Sequence, residues 1–180
     1  MDLSFLAEDS PSAAIGLLGA VITSVVDGET VSLRLNEVEA YLGRDDPASH
    51  AYRSRTARND PMYGPAGTVY VYRSYGIHWC MNLVTARVDE PQAVLLRGGS
   101  VVEGTNTVIE RRGRPDHLAD GPGKLTQALG VTGSDSGSML GAGRVSITCL
   151  PVSEPAYTIT PRIGISAGVD ALLRFVAVDR

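Results

Sequence analysis

Two alternating runs separated by three residues constrain this chain more than any other feature. Thr68–Arg73 reads TVYVYR and Ile77–Thr85 reads IHWCMNLVT. Alternation at a period of two sends successive side chains to opposite faces of a strand. Tyr70 and Tyr72 therefore share one face and Val69 and Val71 the other. In the second run His78, Cys80 and Asn82 lie opposite Ile77, Trp79, Met81 and Leu83. The connector Ser74-Tyr75-Gly76 makes the pair a hairpin with an aromatic residue at its tip, where small polar residues are the rule. A second hairpin is expected from Val21–Val26 and Thr30–Val38, joined around Asp27-Gly28. Shorter strands are expected at Ala93–Arg97, Val145–Leu150 and Leu172–Val178. Helices are expected after Ser10-Pro11, from a cap at Asp46, over Val101–Arg112, and over Gly123–Leu129 closed by Gly130. Residues 53–67 read as loop. Helices and strands mix without a βαβ rhythm, so the class is mixed α/β (α+β), and a doubly wound parallel sheet is disfavoured. No repeat or linker divides residues 1–180, which read as one domain.

Composition narrows the partners. The 180 residues carry 16 basic and 20 acidic side chains, a net charge of −4, whereas a dedicated DNA binder is usually basic. The distribution is uneven, however. Residues 1–43 hold six acids and one base, while residues 53–82 hold Arg53, Arg55, Arg58 and Arg73 against Asp60 alone. All basic residues but Lys124 are arginine, whose planar fork suits phosphate oxygens. That usage is expected of a GC-rich bacterial genome. No segment approaches the roughly 20 apolar residues of a membrane span, and the N-terminus lacks the basic region of a signal peptide. Two cysteines, Cys80 and Cys149, make no disulfide scaffold and suit reduced thiols. A cytoplasmic protein is expected.

Glu37 and Glu39 end the second strand two residues apart, so both leave one face about 7 Å apart. Two solvated acids on an exposed strand are one reading. A general base is another, and a glycoside or nucleoside hydrolase using both is a third, since inverting carboxylates stand roughly 6.5–9.5 Å apart. Spacing leaves all three open. Tyr41, Tyr70, Tyr72 and Tyr75, with His50, crowd into 35 residues of a chain that is only 6% aromatic. Such a cluster beside arginines and carboxylates offers the stacking faces that a flat, electron-poor ligand needs. Gly121-Pro122-Gly123-Lys124-Leu125 lacks P-loop spacing, and reads as a helix N-terminus able to meet a phosphate. His50, His78 and His117 form no zinc pattern, and no metal or cofactor is expected.

Taken in order, Asn36-Glu37-Val38-Glu39-Ala40-Tyr41-Leu42-Gly43, His50, Arg58-Asn59, Gly67-Thr68-Val69-Tyr70-Val71-Tyr72, Tyr75-Gly76, Cys80-Met81-Asn82, Val94-Leu95-Leu96-Arg97 and Gly121–Leu125 resemble the alkyladenine (3-methyladenine, methylpurine) DNA glycosylases. The resemblance runs from about Ser12 to the terminal Val178-Asp179-Arg180. It implies a single mixed domain around a curved antiparallel sheet, with a hairpin that projects into the DNA minor groove. It further implies a monomeric, monofunctional enzyme acting on double-stranded DNA that contains damaged purines. By the same resemblance Glu39 is the general base and Arg97 helps hold the attacking water. Tyr41, His50 and Tyr72 form the pocket for the flipped base, and Asn82 obstructs the amino group of normal guanine. Tyr75 intercalates. Arg58, Ile77, His78 and Lys124 are candidates for the DNA backbone, and Glu37 has no assigned role. A non-catalytic module for damaged nucleic acid would keep the stacking tyrosines without needing Glu39.

Overall fold

The computed structural model describes residues 2–151, 153 and 155–178; Asp179 and Arg180, at the end of the resemblance, lie outside them, as does the Cys149 side chain. Helix α1 spans Ser10–Leu17, with the Asp9 side chain accepting from the Ser12 N–H and Pro11 in the first turn. Strands β1 (Val21–Val26) and β2 (Glu29–Tyr41) then form the expected hairpin at Asp27-Gly28. Strands β3 (Val69–Ser74), β4 (His78–Thr85) and β5 (Gln92–Glu103) follow. Helices α2 (Thr105–Arg112) and α3 (Pro122–Leu129) precede β6 (Val145–Cys149), β7 (Tyr157–Pro161) and β8 (Leu172–Ala177). The sheet is antiparallel throughout in the order β3-β4-β5-β2-β1-β6. β2 is its axis: β5 runs along one edge, while the other edge takes β1 over its first half and β8, with β7 outside it, over its second. A central strand that changes partners midway, with three irregularities against β5, curls the sheet, because bulges bend strands and raise their twist.

The alternation read from the sequence decides what each face of the hairpin covers. Val69, Val71, Met81 and Leu83 enter the main core with Leu17, Leu33, Leu35, Val38, Leu96, Leu125 and Leu129, beneath the three helices. Tyr70 and Val84 enter a second, smaller cluster with Met62, Tyr63 and Ala93. Burying each such side chain fully is worth about 1.5–3 kcal/mol, so a one-residue slip in register would forfeit both cores.

Two expectations are corrected. Val101–Glu103 continue β5 rather than open a helix. Val101 pairs with Leu33 and Glu103 with Ser32, as suits β-branched residues, and α2 begins only after Gly104, whose φ is +80°. Asp46 caps no helix. It follows a single 3-10 turn, Gly43–Asp45, and its carboxylate is taken by the buried Arg162. Among the described residues no helix is long and apolar enough to cross a membrane, and no three His, Cys, Asp or Glu side chains gather in a metal-holding group.

Candidate active site

A pocket of about 500 Å³ opens on the face of β3 and β4 that carries Tyr70, Tyr72, Cys80 and Asn82. Its wall brings together seven residues singled out in the sequence: Tyr41, His50, Arg58, Tyr72, Tyr75, Asn82 and Arg97. The wall also takes in 47–49, which the sequence had marked only as a helix start, and 163–167, a segment that carries no local pattern.

Glu39 lies behind this wall, wholly buried. Its Oε2 accepts from the Tyr41 hydroxyl at 2.9 Å and its Oε1 from the Ile163 N–H at 2.8 Å. Arg97 Nη1 stands 3.3 Å from Oε1. A carboxylate oxygen has roughly two lone-pair positions; with Ile163 and Arg97 both at Oε1 and only the Tyr41 hydroxyl at Oε2, Oε2 keeps one unused. Burial and the Glu39 charge push the Tyr41 hydroxyl far up from its ordinary range, so it stays a donor. Arg162, 4.6 Å from the centre of the Tyr41 ring, is fixed by Asp46 through bonds of 2.5 and 2.8 Å. Glu37 is not a solvated acid either. Its Oε1 accepts from Arg97 Nε at 2.8 Å and Arg174 Nε at 2.7 Å. Its burial alone would raise its pKa, but these two arginines hold it below the ordinary value.

The aromatic wall is linked internally. His50 Nδ1 lies 2.9 Å from the Tyr70 hydroxyl, and its ring meets Tyr72 edge-on at 4.4 Å. Burial first, then the Arg58 charge, pushes His50 down from its usual pKa, leaving it neutral at pH 7. Burial raises the Tyr70 hydroxyl to about 12. Arg58 also lies over Tyr72, 5.5 Å from the ring centre. Asn82 donates from Nδ2 to the Tyr70 carbonyl at 3.1 Å. Burial raises the pKa of Cys80, so this thiol is chemically quiet at pH 7.

At the hairpin tip Tyr75 is 89% exposed. Its φ is +48°, followed by +69° at Gly76, and the Ile77 N–H donates to the Ser74 carbonyl at 2.9 Å to close the turn. A left-handed backbone at a bulky residue costs roughly 1–2 kcal/mol. The chain thus holds a large ring in water on a strained turn. Ile77 is exposed beside it.

Three backbone candidates, Ile77, His78 and Lys124, fall outside the pocket. His78 leaves the wall of Cys80 and Asn82 for the N-terminal turn of α3, where a Cβ on Gly123 would lie 2.8 Å from the His78 Cβ. Lys124 is ion-paired to Asp120 at 2.9 Å. Arg162, Arg174 and the Ile163 N–H were not singled out in the sequence, and Asp46 was read only as a helix cap. The only local signal for them was an arginine set between Pro161 and Gly164.

The sequence profile of the methylpurine-DNA glycosylases (Methylpurine-DNA glycosylase, MPG) matches residues 4–180. The chain belongs to this family. Among its relatives, a protein of Cutibacterium acnes is 42% identical, the match covering 93% of this chain and 92% of its own. One from Methanoculleus marisnigri is 43% identical over 96% and 92%, and one from Corynebacterium efficiens 43% over 97% and 90%. All three are provisionally named 3-methyladenine DNA glycosylase. As a methylpurine-DNA glycosylase the protein is a base-excision repair enzyme that acts on DNA and hydrolyses N-glycosyl bonds.

Proposed function

We infer that the pocket receives an alkylated purine flipped from duplex DNA, and that Glu39 activates the water that replaces it at C1′. The observation that carries this reading is the buried Glu39 carboxylate, held on three sides beside an aromatic pocket and left with one open lone-pair position. A base inside a duplex cannot be reached, and extruding it costs a few kcal/mol. Tyr75 offsets that cost by entering the vacated stack. Removing its ring from water is worth about 1.5–3 kcal/mol, and stacking on bases about 1–3 kcal/mol more.

The flipped base meets Tyr41 and Tyr72, whose faces attract a cationic ring, with His50 facing its edge; Asn82 bounds the pocket and selects against the amino group of normal guanine. Alkylation at N3 or N7 leaves the purine positively charged, so the C1′–N9 bond electrons depart with a neutral base and no general acid is needed. As that bond breaks, the water oxygen bonds to C1′ and its proton passes to Glu39 Oε2. The ionised Glu39 also favours the positive charge that develops on the sugar. Arg97, whose Nη1 stands beside Glu39, helps hold the water. The product is an abasic site, and the sole lysine, Lys124, is tied to Asp120. The enzyme works as a monomer in the cytoplasm, on the chromosome.

Incubation with methylated duplex DNA tests the reading. Free 3-methyladenine or 7-methylguanine and alkali-labile sites in the DNA are expected. Tight binding with no released base would instead identify a binding module, and cleavage of free nucleosides in preference to DNA a nucleoside hydrolase.

A further inference from the structure

Glu37 touches neither the pocket nor the carboxylate assigned as base, yet it is built into the sheet with unusual care. Along β2 and β5 its backbone pairs with Gly98, and the register slips on both sides of that pair. Asn36 is the extra residue on one strand and Arg97 on the other, since Leu35 pairs with Gly99 and Val38 with Leu96. Bulges of this kind re-aim side chains next to functional sites. Here they turn Glu37, Glu39 and Arg97 toward one another. Gly98 leaves them the space: a Cβ there would lie 2.8 Å from Asn36 Oδ1 and 3.2 Å from Glu37 Cβ.

We propose that Glu37 is a positioning residue, which pins the Arg97 guanidinium through Nε so that only Nη1 reaches Glu39 and the fork does not close on that carboxylate with two nitrogens. A guanidinium is planar, with its donors in a fixed fork, so fixing Nε fixes where the other nitrogens point. Glu37 Oε1 holds Arg97 Nε at 2.8 Å while Nη1 faces Glu39 Oε1 at 3.3 Å. Glu37 is itself anchored away from the pocket, on Arg174 Nε at 2.7 Å, and Arg174 donates from Nη1 to Thr160 Oγ1 at 3.0 Å. Without Glu37, Glu39 is the carboxylate within reach of Arg97. The fork would then turn fully onto it, and a carboxylate gripped by two guanidinium nitrogens is a poorer base than one met by Nη1 alone. Two guanidiniums sharing one oxygen also keep Glu37 ionised, which unsuits it to serve as a second catalytic acid.

This inference rests on Glu39 acting as base, and one assay separates the two. Single-turnover excision is measured with enzyme in excess on a duplex carrying one 7-methylguanine, alongside binding to a duplex with a tetrahydrofuran abasic analogue. Glu37→Ala is expected to excise roughly 10–100-fold more slowly, the scale of an ångström-sized misplacement, with binding to the analogue unchanged. Glu37→Gln retains Oε1, the atom that both arginines use, and is expected to restore most of the rate. Arg174→Met, which removes the anchor alone, should slow excision in the same direction by a smaller factor and keeps the test open if Glu37→Ala does not fold. An unaltered rate in Glu37→Ala, or Glu37→Gln as slow as Glu37→Ala, overturns the positioning role. An active Glu39→Gln in the same series would overturn the underlying mechanism instead.

Discussion

Replacing Asp46 by alanine would strand a guanidinium inside the protein. The side chains of Arg162 and Asp46 are 0% and 2% exposed, and Arg162 donates to both Asp46 oxygens and to the Ala40 carbonyl. The Asp46 carboxylate also accepts from the N–H groups of Leu42 and Ala48. Asp46→Ala therefore leaves a buried cation with one carbonyl acceptor and two backbone donors without partners. Breaking a buried ion pair from one side costs about 3–5 kcal/mol, a large share of the roughly 5–15 kcal/mol that holds a domain together. For a chain of this size each kcal/mol lowers Tm by about 2–4 °C, so a fall of about 6–20 °C is expected. The fluorescence of Trp79, the single tryptophan, reports unfolding. Asp46→Leu with Arg162→Met removes both charges and should recover most of that stability, as apolar replacements of buried pairs do. It should not recover excision, because the Tyr41 ring and the Ile163 N–H lose the group that positions them. A Tm within about 3 °C of wild type for Asp46→Ala would refute the reasoning, given the scaling above.

Tyr75→Ala is expected to slow excision from fully paired duplex about 10–100-fold, the equivalent of the lost burial, and much less when the damaged base sits in an unstacked mismatch. Equal losses on both substrates, or a collapse in Tm, would argue against the wedge. Acid provides a further test. Burial would raise the pKa values of Asp46 and Glu37, but hydrogen bonds from Arg162 to the first and from Arg174 and Arg97 to the second leave both below their ordinary values. Their contribution to stability is fully present above the unfolded-state values near about 4 and is lost as pH falls through the lower folded values. Urea midpoints should therefore fall modestly between pH 7 and pH 5, where the unfolded chain protonates His50 more readily than the native state does, and drop more steeply below about pH 4; a midpoint that rose on acidification would contradict the assignment of these pairs.

What could be read from the sequence was what is local. Alternation in Thr68–Arg73 and Ile77–Thr85 sorted Val69, Val71, Met81 and Leu83 from Tyr70, Tyr72, Cys80 and Asn82, which is the division between main core and pocket side. The exposed ring of Tyr75 was legible because it breaks the chemistry of turns. His78 broke the same alternation, since the hairpin end packs on Gly123, 45 residues away. Asp46 looked like a helix cap because Asp-Pro-Ala-Ser opens many helices. Its true partner, Arg162, is 116 residues distant. Strand β7 and the wall 163–167 went unread for a related reason: among the described residues β7 pairs with β8 alone, and its residues are largely exposed, so little apolar alternation marks it. The bulges at Asn36 and Arg97 belong to the pairing of two strands and exist in neither alone.

The central claim is that Glu39 is the base, and single-turnover excision by Glu39→Gln tests it most directly. Glutamine keeps the shape of the side chain and an oxygen to accept from its neighbours, but it cannot take the proton from water. On an alkylated duplex the rate should fall about 10²–10⁴-fold, the usual contribution of a general base, while the Kd for DNA carrying an abasic analogue stays within a few-fold of wild type, by the same separation of chemistry from binding. Excision by Glu39→Gln at the wild-type rate, with Glu37→Gln inactive, would contradict the account.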